Sequence, residues 1–592
     1  MEGDRPLDAA GGAGGRRTLT VRTRAIGSRL RALFAALLLA AGLAAAGQST
    51  RKTQTSEKQI QAWLDAGHWQ NVADALGPVR KRSAEENYAY GSALAHLQRW
   101  READAALEAG ERKARRDERF PLERAGVAFK QKKYPRAAQE LRRALKLKPD
   151  DTYAANFLAT VYYLEDNVPA AVKVWNRVGK PELAAVKVEP ALRVSPALLD
   201  GAFAFAPTTK LTAQQLADSQ ARVRGIGIFA QHHFDLRAQS DGKFEMAFRA
   251  QELNGFGEGW LERAFLLVRG LPFQEIDPEY DNLHGQAINF RAKVRWDAEK
   301  RRVFAEVAGP WMHSAVRRYR FDLDLRNENW ALRESFAGPA PVEASLNLRR
   351  AVGAATIGSD ARDKFRWRVG SEISDRELRG VDAGGVLTPS LLGTGWELKQ
   401  TASVKSTLVR APERRMTLTA GASSDAARLW ARQAQGFEKL EGRLEWRWFP
   451  RAMGEDYETS VTARAGGSFG HPPFDELFEL GLERDNDLPM RGHIGTRDGV
   501  KGSAPLGREY FMASWETDKT LYSNGLMTVT LGPFVDTGKM GDALAVPGWQ
   551  KWMTDTGAEA KLRVFGTTVA FSYGKDLRTG NNAFYLRLLP GD

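Results

Sequence analysis

Beyond about residue 254 the chain alternates apolar and polar residues one for one, in run after run. Ile288, Phe290, Ala292, Val294 and Trp296 share one parity; Asn289, Arg291, Lys293 and Arg295 share the other. Tyr319, Phe321, Leu323 and Leu325 alternate with Arg320, Asp322 and Asp324, and Leu444, Trp446 and Trp448 with Arg443, Glu445 and Arg447. Near the end, Val569, Phe571 and Tyr573 oppose Ala570, Ser572 and Gly574, and Phe584, Leu586 and Leu588 oppose Tyr585 and Arg587. A period of two belongs to β-strands, whose successive side chains leave opposite faces. Two folds accept one apolar and one charged face. In a soluble sandwich the apolar faces meet inside. In a transmembrane barrel they face hydrocarbon, the charged faces line a wet lumen, and the sheet closes because no strand edge can stand open in lipid. Periodicity alone does not separate the two.

The first residues decide between them. A run at 32–46 is almost wholly Ala and Leu, follows Arg22, Arg24, Arg29 and Arg31, and ends in small residues. This is the pattern of a secretory signal peptide over 1–46, cleaved near Ala46. The chain has 592 residues and no cysteine, which excludes lipoprotein processing, disulfides and thiolate metal sites. No later stretch holds ~20 consecutive apolar residues, so membrane-spanning helices are excluded. The net charge is +13, and about +9 once the seven Arg and three acids of the leader are set aside. That mild excess suits anionic lipid or lipopolysaccharide; no basic-aromatic interleaving points to nucleic acid. An exported chain of this kind is expected to carry an outer-membrane barrel over 254–592. At ~10 residues per strand plus connections, about sixteen strands are expected, with fourteen to eighteen allowed.

Between leader and barrel the pattern is helical. Ala103, Ala137 and Ala171 stand 34 residues apart, the tetratricopeptide period. The clearest unit has Ala125 and Ala128 on its first helix, Tyr134, Ala137, Leu141 and Ala144 on its second, and Pro149 at its close. Gly91, Leu94, Trp100 and Ala103 match in the unit before; Ala159, Tyr162, Ala171 and Trp175 match in the unit after. Small residues fit where two antiparallel helices cross closely, and larger ones fill the gap to the next pair. A tetratricopeptide solenoid is expected over 56–183, with a concave face for a periplasmic partner or client polypeptide.

A small α+β segment is expected over 186–252. Thr212, with Gln215 three residues on, marks a capping box at the start of a helix over 212–223. The helix closes on Gly227-Ile228-Phe229, and Ser240-Asp241-Gly242 turns between two alternating runs, a hairpin signal. This β-α-α-β-β order resembles a polypeptide-transport-associated (POTRA) domain, the periplasmic module before the barrel in outer-membrane assembly factors.

Two stretches near the C-terminus are more specific. One is Pro473-Phe474-Asp475-Glu476-Leu477-Phe478-Glu479-Leu480-Gly481, running on to Leu488-Pro489-Met490-Arg491-Gly492-His493; the other is Phe534-Val535-Asp536-Thr537-Gly538-Lys539. Together they resemble the barrel of the outer-membrane assembly and two-partner-secretion superfamily, the BamA- and TamA-like bacterial surface antigens. The resemblance is firm over 474–588, weaker over 186–310, and does not cover the repeats. It implies a multidomain chain: helical solenoid, one POTRA-like domain and a C-terminal antiparallel transmembrane barrel. It also implies that an Arg-Gly-aromatic loop tip folds back into the lumen against a Phe-x-Asp-x-Gly strand. His493 stands where the family has Phe or Tyr, the chain ends Leu589-Pro590-Gly591-Asp592 rather than on an aromatic residue, and only one POTRA-like domain is visible.

Strand parity agrees with the implied latch. In the segment 527–537, Met527, Val529, Leu531 and Val535 share the lipid-facing parity, which turns Thr528, Thr530, Phe534 and Asp536 to the lumen. A bidentate Arg491–Asp536 pair would fix the loop, at ~1–3 kcal/mol in a partly wet lumen. Gly492 would let the tip turn tightly and Gly538 would relieve crowding at the wall.

Catalytic signatures are missing: no Walker loop, no His-Glu-x-x-His, no Gly-x-Ser-x-Gly. Gly255-Phe256-Gly257-Glu258-Gly259 reads as a flexible junction, His232-His233 as a histidine pair without companion metal ligands, and Asp475-Glu476 as solvated loop acids. No enzyme activity, cofactor or metal is expected. The resemblance implies polypeptide insertion or translocation at the outer membrane. Polysaccharide export through a repeat-plus-barrel porin, or a passive or structural pore, are the alternatives.

Overall fold

The computed structural model describes residues 57–257, 259–431, 434–524 and 527–589. The expected signal peptide lies outside these residues. Two compact units divide the chain, up to Gly110 and from Glu111 onward.

The first unit is helical. Helices Glu57–Asp65, Trp69–Leu76 and Ala84–His96 lead to a fourth that starts at Trp100. Ser83 caps the third by accepting from the Glu86 amide (3.1 Å), and the Glu86 carboxylate accepts from the Ser83 amide (2.6 Å). Leu94 and Ala103 are fully buried. Gly91 sits where a Cβ would come within 2.6 Å of Leu107 Cγ, so the crossing needs its missing side chain.

The second unit opens with helical hairpins: Arg119–Lys130 with Tyr134–Leu147, then Thr152–Leu164 with Val168–Trp175. Ala125, Ala128, Ala137, Ala159, Tyr162 and Ala171 are buried; Tyr134 is half-buried, and Pro149 is exposed in the connection. A small domain follows, with β1 Leu183–Glu189, helices Pro196–Ala202 and Ala213–Ile226, β2 Phe229–Ala238 and β3 Phe244–Glu252. Its sheet runs β1-β3-β2, with β1 parallel and β2 antiparallel to β3. The helix at 213–226 starts on the Thr212–Gln215 capping box and ends on Gly227 at φ +70°. One apolar core joins the hairpins to this domain without a break, from Ala125 through Trp175 and Leu183 to Phe248. The domain limits near 183 and 186 are therefore limits of pattern, not of packing.

After an entry helix, Trp260–Val268, come the barrel strands. They are β4 Glu275–Ile276, β5 Glu279–Leu283, β6 Ile288–Arg295, β7 Lys300–Pro310, β8 Arg317–Leu332, β9 Ala344–Arg362, β10 Phe365–Asp382, β11 Gly395–Ala411, β12 Met416–Trp430, β13 Gln435–Trp448, β14 Tyr457–Gly470, β15 Phe478–Glu479, β16 Thr496–Arg497, β17 Val500–Lys501, β18 Leu506–Ser523, β19 Met527–Ala543, β20 Met553–Val564, β21 Thr567–Asp576 and β22 Asn582–Leu589. Among the described residues, fourteen are eight residues or longer, within the range that length allowed. Long neighbours pair antiparallel in chain order, except that β14 pairs β18 across the long loop 471–505.

Side-chain exposure separates barrel from sandwich. Phe321, Leu323 and Leu325 are exposed, whereas Asp324 between them is 8% exposed. Phe571 and Tyr573 are exposed beside buried Ala570 and Ser572. The apolar rows therefore point out and the polar rows in, the reverse of a soluble sandwich and the requirement of a lipid-facing barrel. Trp296, Trp396, Trp430, Trp448 and Trp552 are exposed at or near strand ends, where aromatic belts meet the membrane–water boundary.

The barrel closes at one weak seam. Its order places β22 beside the entry strands. The residue-by-residue ladders, however, stop at β21–β22 on one side and at the pairing of β4 and β5 with β6 on the other. Where β22 meets the entry strands, no extended ladder runs between them among the described residues.

The helical arm grips the barrel's near turns. Asn167 Nδ2 donates to the Pro412 carbonyl (2.8 Å), Lys173 pairs with Glu413 (2.9 Å), and Arg222 Nε donates to the Ala361 carbonyl (2.9 Å). The Asp363 amide donates to Asp218 (2.7 Å).

Candidate functional site: a lumenal loop clasped at three places

The loop 471–505 is too polar to span lipid and too apolar to stay in water. Leu480, Leu488 and Met490 are buried among Phe478, Tyr510, Met512, Met540 and Met553, so the loop lies inside the barrel. Three clusters of charge hold it.

The tip is the tightest. Arg491 Nε donates to Asp536 Oδ2 (2.8 Å) and Nη2 to Oδ1 (2.8 Å), a bidentate pair. Nη1 donates to Glu516 Oε2 (2.7 Å), Nη2 also to Ser514 Oγ (3.1 Å), and the Arg491 amide to Asp536 Oδ2 (3.2 Å). The guanidinium carbon lies 3.6 Å from the centre of the Phe534 ring, cation–π contact that also closes one face to water. Arg491 is 3% and Asp536 0% exposed. The wet-lumen expectation is thus corrected: Phe534 and the buried methionines around the tip, Met490, Met512, Met540 and Met553, exclude water, so the pair is enclosed.

Gly492 differs from expectation in kind. It is absent from the positive-φ glycines, so no special turn needs it; space does. A Cβ there would stand 2.6 Å from Asp555 Cγ and 2.9 Å from the Asp576 amide nitrogen. Its own amide donates to Asp555 Oδ2 (2.6 Å). At Gly538 a Cβ would meet the Phe511 carbonyl at 3.0 Å and Met490 Sδ at 3.2 Å, so the wall is crowded there. His493 Nδ1 lies 3.1 Å from Asp555 and Nε2 3.5 Å from Asp576. One nitrogen faces each carboxylate, so the ring bridges β20 and the end of β21, where an aromatic residue would only pack.

The loop stem forms the second cluster. Arg350 on β9 pairs with Asp475 (2.9 Å) and Glu476 (2.8 Å), Arg376 on β10 with Asp475 (3.0 Å), and Lys399 on β11 with Glu476 (2.6 Å). Glu476 is 3% exposed. This corrects the reading of Asp475-Glu476 as solvated acids: three cations on inward-facing strand positions neutralise them. The third cluster sits between. Asp485 pairs with Arg295 (2.8 Å), which also meets Glu275 (2.7 Å), and Glu483 pairs with Lys300 (3.2 Å). The signal for both was present in the sequence as basic residues on the lumenal parity of β6 to β11, but without partners to assign them to.

Two groups among the described residues have metal-like spacing, Glu372/Glu397/Glu476 and His493/Asp555/Asp576. Arg350, Arg376 and Lys399 already serve the first, and His493 turns different nitrogens to its two acids. Neither converges on a cation. His232 and His233 lie on β2; burial and the nearby Arg224 charge hold His232 down to about 4, and His233 Nε2 faces Asp235 (3.0 Å).

No family model matches the chain, and no curated protein matches it. Solved structures do. BamA from Haemophilus ducreyi lacking POTRA domains 1–3 matches at 11% identity over 68% of this chain and 83% of that one, TM-score 0.37. CdiB from Escherichia coli matches at 12% over 69% and 75%, TM-score 0.43. CdiB from Acinetobacter baumannii matches at 9% over 67% and 70%, TM-score 0.38.

Proposed function

We propose that this chain is an outer-membrane barrel of the BamA/TamA-like type that inserts polypeptides into the outer membrane or passes them across it. In this reading the barrel lies in lipid and lipopolysaccharide, the helical hairpins act as periplasmic tetratricopeptide repeats that recruit a client or partner, and the small domain serves as a POTRA-like adaptor. No catalytic group takes part. The observation that carries the reading is the inside-out barrel with a loop clasped in its lumen by Arg491 and Asp536. A passive pore gains nothing from a lumen filled by a loop that three ion clusters hold in place, and a sugar exporter needs the lumen open. The seam beside β22, closed without an extended ladder, is where a strand edge would part most easily, the kind of edge a nascent strand could pair with.

Depletion of the protein, followed by a census of the outer membrane, tests this. Specific loss of other barrel proteins or of a secreted client is expected. An unchanged protein census with missing surface glycan would transfer the function to export.

A further inference from the structure

The entry helix Trp260–Val268 is built the wrong way round for water. A helix on a protein surface turns its apolar stripe inward and its charges out. Here Trp260, Ala264, Leu267 and Leu271 recur at turn spacing, flanked by Leu261 and Val268, and all six are exposed, Trp260 by 75%. The opposite stripe, Glu262, Leu266 and Arg269, lines the same cavity of about 1450 Å³ as Lys293, Arg302 and Phe304 of the lumen wall. The exposed apolar stripe therefore looks away from the lumen.

The helix is tethered beside the seam, to elements on both of its sides. Phe265 packs against Phe565 in the β20–β21 turn, ring centres 6.0 Å apart. Arg269 bonds Thr567 at the start of β21 and Glu279 on β5, and donates to the Asp277 carbonyl (3.2 Å). The outward rows that border the seam are apolar too: Phe571 and Tyr573 on β21, Phe584 on β22, Phe290 and Val294 on β6.

We infer that this helix is a lipid-embedded strap, its Trp260–Leu267 face covered by acyl chains of the leaflet beside the seam. The inference rests on the membrane reading above. Continuity carries it: the exposed stripe extends the lipid-facing belt on either side of the seam, and an amphipathic helix with an apolar outer face binds the membrane boundary by burying that face. The strap would reinforce the closure where the two edges meet.

The absence of cysteine allows a direct test in the full chain. Single variants Leu267→Cys on the helix, Leu323→Cys on the barrel belt and Tyr153→Cys on the helical arm are labelled with an environment-sensitive fluorophore and reconstituted in phosphatidylcholine–phosphatidylglycerol vesicles with or without brominated acyl chains. Brominated lipid is expected to quench Leu267→Cys to an extent comparable with Leu323→Cys and several-fold more than Tyr153→Cys. Quenching at 323 with none at 267 overturns the strap and leaves the membrane reading intact. No quenching at 323 overturns both. Trp260→Cys repeats the helix measurement should Leu267→Cys fail to fold.

Discussion

Arg491 makes a two-toothed bond to Asp536 and reaches Glu516 with its remaining nitrogen. Removing one member of such an enclosed group leaves buried charge without a partner, which costs about 3–5 kcal/mol. Arg491→Ala is expected to lower the thermal midpoint of the folded barrel in detergent and to reduce insertion or secretion without abolishing membrane assembly; wild-type activity would remove the latch from the mechanism. Arg491→Lys keeps the charge but loses the fork, so an intermediate midpoint is expected. Glu165, at the end of a helix in the arm, gives a pH-dependent case. Burial raises its carboxyl from 4.5 to about 7, and its Oε1 has no hydrogen-bond partner among the described residues. The folded state thus favours the protonated acid: its stabilisation is complete below about 4.5 and is lost as pH rises through about 7. Glu165→Gln is expected to gain stability over the parent at pH 8 and little at pH 4, read by urea unfolding at both. At this scale the sequence was readable where parity settles the matter. Asp536 is on the lumenal parity of its strand, so the side it faces could be read from the sequence, with its partner supplied by the resemblance; Asp475 and Glu476 could not be placed, because their burial depends on a loop folding back on strands 77 to 126 residues earlier.

The elements differ in how local their causes are. The helix Ala213–Ile226 is set by neighbours in sequence: Thr212 and Gln215 cap it reciprocally, and Gly227 ends it in the left-handed region. Thr212→Ala is expected to cost about 1 kcal/mol, measured as a lower denaturation midpoint for the arm with the barrel transition unmoved. The seam has no such local cause. β22 carries the same alternation as strands with long ladders on both edges, and nothing in a strand's own pattern says which of its edges will be the weakly paired one. The entry helix was equally hidden: the sequence reads Gly255 to Gly259 as a flexible junction and assigns no helix after it, whereas Trp260–Val268 is helical, and only exposure shows which way it faces.

For the whole molecule, the choice between barrel and sandwich turned on what surrounds the apolar rows, a property no alternation encodes. Leu323→Arg tests it. An arginine on a lipid-facing row near mid-membrane costs about 2–4 kcal/mol, whereas the same change on a water-facing surface is nearly neutral. Unfolding from phospholipid vesicles is expected to show the larger loss, and an unchanged free energy would return the rows to water. The continuous core from Ala125 to Phe248 and the contacts of Asn167, Lys173 and Arg222 with the barrel turns have a mechanical consequence. An arm fused in this way has no swivel at its shoulder. Any load on its hairpins would reach the wall as torque, and the least reinforced line in that wall would be the first to yield.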